Sequence, residues 1–321
     1  MAHSDSSKVS IYAAMAANIA IGIAKFTGAA ISGSSAMLSE GIHSVVDSVN
    51  EVLLLYGLKK SEAGPDEQHP LGHGQELYFW SLMVAVLIFA LGGGISVYQG
   101  IQSLQNPVQA SSPLVSYAVL GAAAIFEGAA LFVSIREFNK MRPKEDNGLW
   151  SAIRDSKDPS SFIVIVEDAA ALMGLAIAFA GVWLSETLEN PSYDAIASIL
   201  IGLLLTVVAT ALVTETKDLL IGESASEATR EGIKAIVRSD SAVLDMGAPI
   251  TIHFGPREVM LAMNIEFKDE LSADDIEAAV RRIEAKIRQA HGEVKRIFIE
   301  AQAACELEDQ PANQEAAPGS S

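Results

Sequence analysis

Residues 37–50 read MLSEGIHSVVDSVN and place a histidine and an aspartate inside a stretch otherwise apolar enough to cross a membrane. His43 and Asp47 stand four residues apart, so on a helix their side chains lie on one face, one turn from each other. An imidazole nitrogen and a carboxylate oxygen arranged in this way can bind the same divalent metal ion. Ionisable side chains are costly within lipid, so the pair indicates an ion pathway. The alternative is an interhelical hydrogen-bond pair.

Apolar residues make up half of the chain and are concentrated in six long runs before about residue 221. A helix needs roughly 20 apolar residues to cross the hydrocarbon core, and each run is close to or above that length. The sequence therefore predicts an α-helical membrane protein with six transmembrane helices. Their approximate bounds are 10–31, 36–58, 77–101, 113–138, 160–184 and 193–220.

The charge and the cysteine content exclude several kinds of partner and site. The formal net charge is −18 and the sequence has no basic stripe, so we expect no nucleic-acid partner. The single cysteine, Cys305, excludes a disulfide framework and a zinc site built from thiolates.

The positive residues of the loops predict the orientation in the membrane. Lys and Arg are absent from the predicted connections 1–2, 3–4 and 5–6, and they occur in connections 2–3 and 4–5 and after span six. The positive-inside rule places these positive segments, together with both termini, on the cytoplasmic side. We therefore expect a multi-pass protein of the lipid bilayer, in a plasma membrane or a bacterial inner membrane.

After residue 221 the sequence changes to the pattern of a small α/β domain. The predicted elements are a helix at 226–238, strands at 248–254 and 258–267, a helix from Ser272 to about His291, and a strand at 294–301. This α-β-β-α-β order predicts a two-layer domain with the helices on one face of the sheet. The predicted organisation is a cytoplasmic tail at 1–9, a membrane domain at 10–221, an α/β domain at 222–302 and a disordered acidic tail at 303–321.

Ionisable residues in spans one, four and five are further candidates. Glu167 and Asp168 of span five point about 100° apart on a helix, so one should line the site while the other pairs elsewhere, for example with Lys25 of span one. Lys25 either forms such a pair or extends along its stem towards the interface. Glu127 of span four is a candidate proton carrier, a partner of Lys25 or a packing residue.

Zinc prefers four nitrogen and oxygen ligands in a tetrahedron. His43, Asp47 and one carboxylate of span five would supply three of them. Water, Glu167 or Asn50 is a candidate for the fourth position.

The connection between spans two and three contains a second group of ligand-type residues. Asp66, His69 and His73 lie within eight residues and can form a surface metal site. The alternative is a turn before span three with solvated histidines.

The motif His43-x-x-x-Asp47, the loop sequence HPLGHG, the six spans and the small C-terminal domain together resemble the cation diffusion facilitator family. The resemblance extends over about residues 10–302. The segments FALGGGISVYQGI and DAIASILIGLLL, and the Glu-Asp pair of span five, are similar to the branch that includes the ninth animal zinc transporter. The resemblance implies a ferredoxin-like C-terminal domain, a homodimer, and export of divalent metal, usually zinc, from the cytoplasm in exchange for protons.

The resemblance also assigns ligand positions within the membrane. His43 and Asp47 match the ligand pair of span two, and Asp168 matches the second ligand position of span five. Gly174 matches the glycine that commonly follows six residues later. The first ligand position of span five falls on Val164, which cannot bind metal.

Outside the membrane, Asp66, His69 and His73 match a secondary loop site found in parts of the family. The last strand reads IFIEAQ and lacks the histidine-aspartate pair that other members use for a zinc ion bridging the dimer. We therefore expect the C-terminal domain to dimerise without a full binuclear site.

We expect a transporter and not an enzyme, with no prosthetic group and with divalent metal ions and protons as its partners. The cargo is zinc, or else cobalt or iron(II), because a histidine-carboxylate site favours these over magnesium and calcium. The expected mechanism is alternating access. The candidate metal ligands are His43, Asp47, Asp168 and Glu167, and the candidates for proton coupling or helix pairing are His43, Glu127 and Lys25.

Two alternative functions come from other classes. The first is a membrane-anchored regulatory or interaction protein whose transport site has lapsed, which the valine at position 164 favours. The second is a cation channel, whose flux would be independent of a proton gradient.

Overall fold

The computed structural model describes residues 18–107, 112–141, 157–256 and 258–302. The chain separates into two compact units that divide after Leu220. The predicted tails at 1–9 and 303–321 lie outside the described residues.

In the described residues of the first unit, all regular secondary structure is helical. Its helices are α1 (Asn18–Ser32), α2 (Ser35–Ser61), α3 (Gln75–Gln105), α4 (Pro113–Met141), α5 (Pro159–Thr187) and α6 (Ser192–Ile221). Helices α2 to α6 begin and end within a few residues of the predicted spans.

Four of these helices, α3 to α6, are long and apolar enough to cross a membrane. Helix α1 is described only from Asn18, which leaves too short an apolar segment for the same test. Helix α2 is long, but its polar residues, including His43 and Asp47, lower its hydropathy. A helical membrane unit with four clear spans is therefore confirmed, and the count of six stays a prediction.

The glycine triplet of α3 lies in a π-helical segment, Ile88–Gly94, where the helix packs closely on α6. A Cβ on Gly93 would lie 2.6 Å from Oγ1 of Thr206, and a Cβ on Gly202 would lie 2.8 Å from the carbonyl oxygen of Gly93. Helices that approach this closely need small residues at the contact. The triplet therefore serves the close packing of α3 on α6.

The second unit contains two helices and a four-stranded sheet. Its elements are α7 (Glu227–Arg238), β1 (Val243–Met246), β2 (Ile250–Gly255), β3 (Glu258–Phe267), α8 (Ala273–Ala290) and β4 (Val294–Ala301). Ser272 caps α8, and Asp275 completes a capping box.

Strand β3 pairs with all the others, antiparallel with β1 and β2 and parallel with β4. Val243 lies opposite Phe267 and Ile250 opposite Ala262, so β1 and β2 follow one another along β3. The sequence predicted one strand at 248–254 and missed β1. The physical reason is Pro249, which cannot donate to the ladder and separates the two strands.

Alternate residues of β3 face a hydrophobic core formed with both helices. Val259, Leu261 and Ile265 are buried in one cluster with Ile233 of α7 and Ile283 of α8. Buried residues alternate along β3 with the period of two that a half-buried strand shows, and both helices contribute to the core on this one face of the sheet.

Candidate metal-binding site

His43 and Asp47 lie on one face of α2, as their spacing predicts, and His43 is only 2% exposed. Nδ1 of His43 is 3.3 Å from Oδ1 of Asp47, yet the geometry is not that of a hydrogen bond, and within the described chain neither atom has any hydrogen-bond partner. Ligand atoms on a tetrahedral zinc with bonds of about 2.0–2.1 Å are separated by about 3.3 Å. The two atoms therefore stand at the spacing that a shared metal ion requires.

The two carboxylates of α5 have different partners. Oε1 of Glu167 accepts a hydrogen bond of 2.7 Å from the side-chain amide of Asn50 on α2. Oδ2 of Asp168 accepts one of 2.9 Å from the hydroxyl of Ser134 on α4. The predicted divergence of these side chains is thus seen directly, and it is Glu167 that is linked to the helix carrying His43.

The transport ligands expected from the sequence do not form a closed cluster in this conformation. In the parts of the chain that the structure describes, only the loop residues bring three His, Cys, Asp or Glu ligand atoms within 4.8 Å of one another. Val164 packs against the hydrophobic core of the helical unit and offers no ligand atom. A carboxylate of α5 therefore has to move towards His43 and Asp47 for a three-ligand site to form.

Lys25 is fully buried between α1, α2 and α4. Its Nζ lies 2.8 Å from Oγ of Ser44, 3.2 Å from Oε2 of Glu40 and 3.6 Å from Oε1 of Glu127. The side chain pairs helices instead of extending to the interface. Among the described residues, Lys25 forms no ion pair with Glu167 or Asp168. The suggested pairing of Lys25 with an acid of α5 is therefore not observed.

Carboxylates outnumber ammonium groups in the interior of the helical unit. The acids with buried or partly buried side chains on α2, α4 and α5 are Glu40, Asp47, Glu51, Glu127, Glu167 and Asp168, whereas Lys25 is the one buried ammonium among the described residues. Buried carboxylates are stable only when they are paired, hydrogen-bonded or protonated. This interior can therefore hold mobile positive charge, either as protons or as a metal ion.

Sequence reasoning gave no role to Asp194, which holds the start of α2. Its carboxylate accepts hydrogen bonds from the hydroxyl of Ser34 at 2.5 Å, the backbone amide of Ser35 at 2.6 Å and the hydroxyl of Ser35 at 2.9 Å. A negative charge at a helix N-terminus also interacts favourably with the helix dipole. The sequence offered one signal for this contact: an acid near the start of span six, together with serines at the start of span two.

The loop between α2 and α3 brings its three candidate ligands together. Nε2 of His73 lies 3.0 Å from Oδ2 of Asp66, and Nδ1 of His69 lies 3.2 Å from Oδ1. Gly72 adopts φ +94°, a conformation that favours glycine, and so turns the chain between the two histidines. Two nitrogens and one carboxylate at these spacings fit a tetrahedral metal whose fourth ligand is water.

Asp66 is held in its charged form. Its carboxylate accepts hydrogen bonds from the backbone amide of His69, at 2.6 Å, and from that of Gln68, at 2.9 Å. The His69 amide, followed by the side chain of His73, lowers the pKa of Asp66 to about 2. The carboxylate is thus ionised and oriented at neutral pH, as a metal ligand must be.

The chain belongs to the cation efflux family, whose model for the transmembrane domain matches residues 11–221. The predicted resemblance to this family, and to the branch of the zinc antiporter SLC30A9, is confirmed. The chain is an integral membrane protein with several spans and belongs to a family of transporters, not of enzymes.

Several similar proteins carry names that refer to metals. The proton-coupled zinc antiporter SLC30A9, mitochondrial, of Xenopus laevis is 31% identical over 306 residues, which are 84% of this chain and 55% of the relative. Metal tolerance protein C4 of Arabidopsis thaliana is 34% identical over 240 residues, 75% of this chain and 52% of the relative. The manganese efflux system protein MneP of Bacillus subtilis is 25% identical over 293 residues, 89% and 92% of the two chains. The chain covers only about half the length of the Xenopus laevis and Arabidopsis thaliana relatives.

Proposed function

We propose that this chain is a secondary transporter that exports a divalent metal, zinc first, from the cytoplasm in exchange for protons by alternating access. The observation that carries the proposal is the pair His43 and Asp47. These residues are at mid-helix, their facing atoms lack hydrogen-bond partners in the described chain, and the atoms stand at the spacing of metal ligands. A structural pair would instead be hydrogen-bonded.

The α5 ligand of the proposed transport site is a carboxylate. The family pattern favours Asp168, whereas the hydrogen bond between Glu167 and Asn50 favours Glu167, because it links that carboxylate to α2. Movement of α5 relative to α2 would bring either one to the metal. Such a movement is what alternating access requires, since the site must be complete in one state and open in another.

The ligand chemistry and the relatives' names bear on the choice of metal. A nitrogen and two or three carboxylate oxygens suit zinc, cobalt or iron(II) better than magnesium or calcium. One relative is named a zinc antiporter and another a manganese efflux protein. Manganese therefore belongs in the test although the imidazole of His43 favours zinc.

Proton exchange follows from the same ligands. Metal binding requires a neutral imidazole and ionised carboxylates, so protons leave the site when metal enters and return when it leaves. His43 is the proposed coupling residue because its imidazole must be neutral to bind metal and is free to take up a proton when the metal leaves. Glu127 and Lys25 are proposed as helix-pairing residues, given their contact of 3.6 Å.

We further propose the architecture that the sequence predicts. This comprises six spans within residues 10–221, a cytoplasmic ferredoxin-like dimerisation domain at 222–302, flanking tails and a homodimer. Both termini would be cytoplasmic, in a plasma membrane or a bacterial inner membrane. The relatives named mitochondrial make an organelle membrane the alternative location.

The loop residues Asp66, His69 and His73 form a proposed second metal site on the cytoplasmic side. Their ligand atoms lie within 4.8 Å of one another, and the pKa of Asp66 is lowered to about 2. The exposure of Asp66 and His69, each about half accessible, makes the site open to solvent. Such a site would take up metal before it enters the helical unit.

The decisive test is metal uptake into proteoliposomes that contain the pure protein and a pH-sensitive dye. Zinc, cobalt, iron(II) and manganese are supplied in turn, with the wild type and with the Asp47→Ala and Asp168→Ala variants. We expect metal flux with opposing proton movement in the wild type and its loss in Asp47→Ala. The Asp218→Ala variant, which changes an exposed acid near the end of α6, is the control and should transport normally.

The regulatory alternative predicts a different result. Val164 and the open arrangement of the candidate ligands favour a lapsed site. Absence of flux for every metal, in wild-type protein that is folded and inserted, would support that alternative and refute the transporter. Rapid flux without proton movement would instead indicate a channel.

A further inference from the structure

The ammonium group of Lys25 donates hydrogen bonds to two oxygens and forms an ion pair with a third. An ammonium has three N–H donors, and three oxygens surround it: Oγ of Ser44 at 2.8 Å, Oε2 of Glu40 at 3.2 Å and Oε1 of Glu127 at 3.6 Å. The side chains of Lys25 and Glu40 are 0% exposed, and that of Glu127 is 10% exposed. The group therefore has the form of a cation site whose occupant is covalently part of the protein.

The glutamates around Lys25 have more acceptor oxygens than Lys25 contacts. Oε1 of Glu40 is buried and has no hydrogen-bond partner within the described residues. It lies against Gly174 of α5, where a Cβ would overlap it. The absence of a side chain at Gly174 leaves room for this oxygen, which faces α5 while its partner oxygen faces Lys25.

The charges are also those of a cation site. Two glutamates and one lysine leave one carboxyl group without a matching ammonium, so a single fixed ammonium cannot neutralise the group when both glutamates are ionised. A helix pair that needed only an ion pair would have one acid. Two carboxylates and a hydroxyl from α2 and α4 are instead a donor set that a divalent ion can use.

We propose that Glu40, Glu127 and Ser44 form a second intramembrane cation site, which Lys25 fills as a tethered cation. Lys25 thereby restricts the acidic interior to one mobile divalent ion, bound at His43 and Asp47. The ligands are all oxygen, so the inorganic ion that fits this second site is a hard divalent cation such as manganese. This inference rests on the proposed function in one respect, namely that His43 and Asp47 bind the mobile ion.

The test is a count of bound metal and needs no transport. Full-length protein in detergent is equilibrated with manganese, and bound metal per chain is measured by elemental analysis after dialysis. The variants are Lys25→Ala, Lys25→Arg as the charge-preserving control, and Lys25→Ala combined with Glu40→Gln. We expect Lys25→Ala to bind one more ion per chain than the wild type, and the other two to bind the wild-type number.

The Asp47→Asn substitution, added to each background, keeps the two proposals apart. It should remove one ion from the wild type and one from Lys25→Ala, leaving the additional ion of the latter in place. An unchanged count on adding Asp47→Asn would contradict manganese binding at His43 and Asp47 alone. An equal count in folded Lys25→Ala and wild type would overturn the tethered-cation proposal alone.

The metal count fails if Lys25→Ala is too unstable to purify, because two glutamates then face each other without a cation. In that case the melting temperature gives the answer. Manganese, and separately ethylammonium chloride, should raise the melting temperature of Lys25→Ala by several degrees more than that of Lys25→Arg, because each restores a cation between the acids. If neither cation raises it, the proposal is refuted.

Discussion

At the scale of single residues, the role of each buried acid depends on its hydrogen-bond donor. Glu167 and Asp168 are adjacent in the chain, yet one accepts from Asn50 on α2 and the other from Ser134 on α4. Glu40 differs from both because its donor is an ammonium. The i, i+4 spacing of His43 and Asp47 could be read from the sequence, since it is a property of one helix. The partners of Glu167 and Asp168 could not, because they depend on how α5 is rotated against its neighbours.

The first prediction separates the two carboxylates of α5. Glu167→Gln should reduce the rate of metal uptake at least tenfold, a loss of about 1.4 kcal/mol or more of binding or transition-state free energy, because it neutralises the acid linked to α2. Asp168→Asn should reduce it less, because Asp168 is bonded to α4. The measurement is initial uptake into proteoliposomes over a range of metal concentrations. A larger loss in Asp168→Asn would show that α5 rotates before metal binds.

The second prediction concerns Gly174. Gly174→Ala places a Cβ on Oε1 of Glu40, so either the helices separate or Glu40 leaves Lys25. Overpacking of this kind costs about 1–3 kcal/mol, and the melting temperature in detergent should fall. Gly121→Ala on α4 is the control, because nothing lies within 4 Å of its added Cβ. Alanine has the higher helix propensity, so Gly121→Ala should leave the melting temperature unchanged or raise it. An equal fall in both variants would show that contact with Glu40 is not the cause.

At the scale of elements, α2 is the helix that the others hold in place. Its N-terminus is capped by Ser34 and by Asp194 of α6, its interior contacts Lys25 of α1, and Asn50 ties it to α5. The helix bounds were predicted well because hydrophobic runs and caps are local signals. The cross-helix cap by Asp194 was not predicted, since residues separated by about 160 positions meet only in the folded chain.

The third prediction tests that cap. Asp194→Ala leaves the amide of Ser35 and the hydroxyls of Ser34 and Ser35 without this acceptor, and it should lower the stability of the helical unit by about 2 kcal/mol. The measurement is thermal unfolding in detergent. Asp218→Ala, at an exposed position near the other end of α6, should change the melting temperature little. Equal melting temperatures for wild type and Asp194→Ala would exclude a stabilising role for the cap.

At the scale of the whole molecule, the two units have separate cores and separate charge arrangements. The helical unit buries an excess of acid, whereas the C-terminal unit pairs its buried acid fully. Asp240 accepts two hydrogen bonds from the guanidinium of Arg282, at 2.6 and 2.8 Å, and lies 3.8 Å from Lys286. The Arg282 hydrogen bonds, with the backbone amide of Ala242, lower the pKa of Asp240 to about 2.

The fourth prediction follows from that pKa. Because the folded-state pKa of Asp240 lies below its unfolded value of about 3.8, its stabilisation is fully present above pH 4 and is lost as the pH falls through 2. Asp240→Asn should therefore lower stability at neutral pH by about 1–2 kcal/mol, discounted for the half-exposed Arg282, and should weaken the dependence on pH between 4 and 2.

The measurement for Asp240 is urea unfolding of a fragment covering residues 221–302, followed by circular dichroism at several pH values. The fragment contains the complete second hydrophobic cluster and should fold by itself. Asp269→Asn, an exposed acid in the turn before α8, is the control. A constant difference in unfolding free energy between Asp240→Asn and wild type down to pH 2 would argue against the ion pair as its source.

The sequence by itself determined the class of protein, the helices, most strands, and the pairs that lie within one segment, namely His43 with Asp47 and the loop group around Asp66. These features follow from hydrophobic length, from the periods of helices and strands, and from turn residues, all of which act over a few positions. Only the tertiary structure decided that Lys25 faces Glu40 and Glu127, that Asp194 caps α2, and that β1 and β2 share one side of β3. These contacts depend on how the packed elements are rotated and how far apart they lie. The close approach of small residues sets both, and no local sequence pattern encodes them.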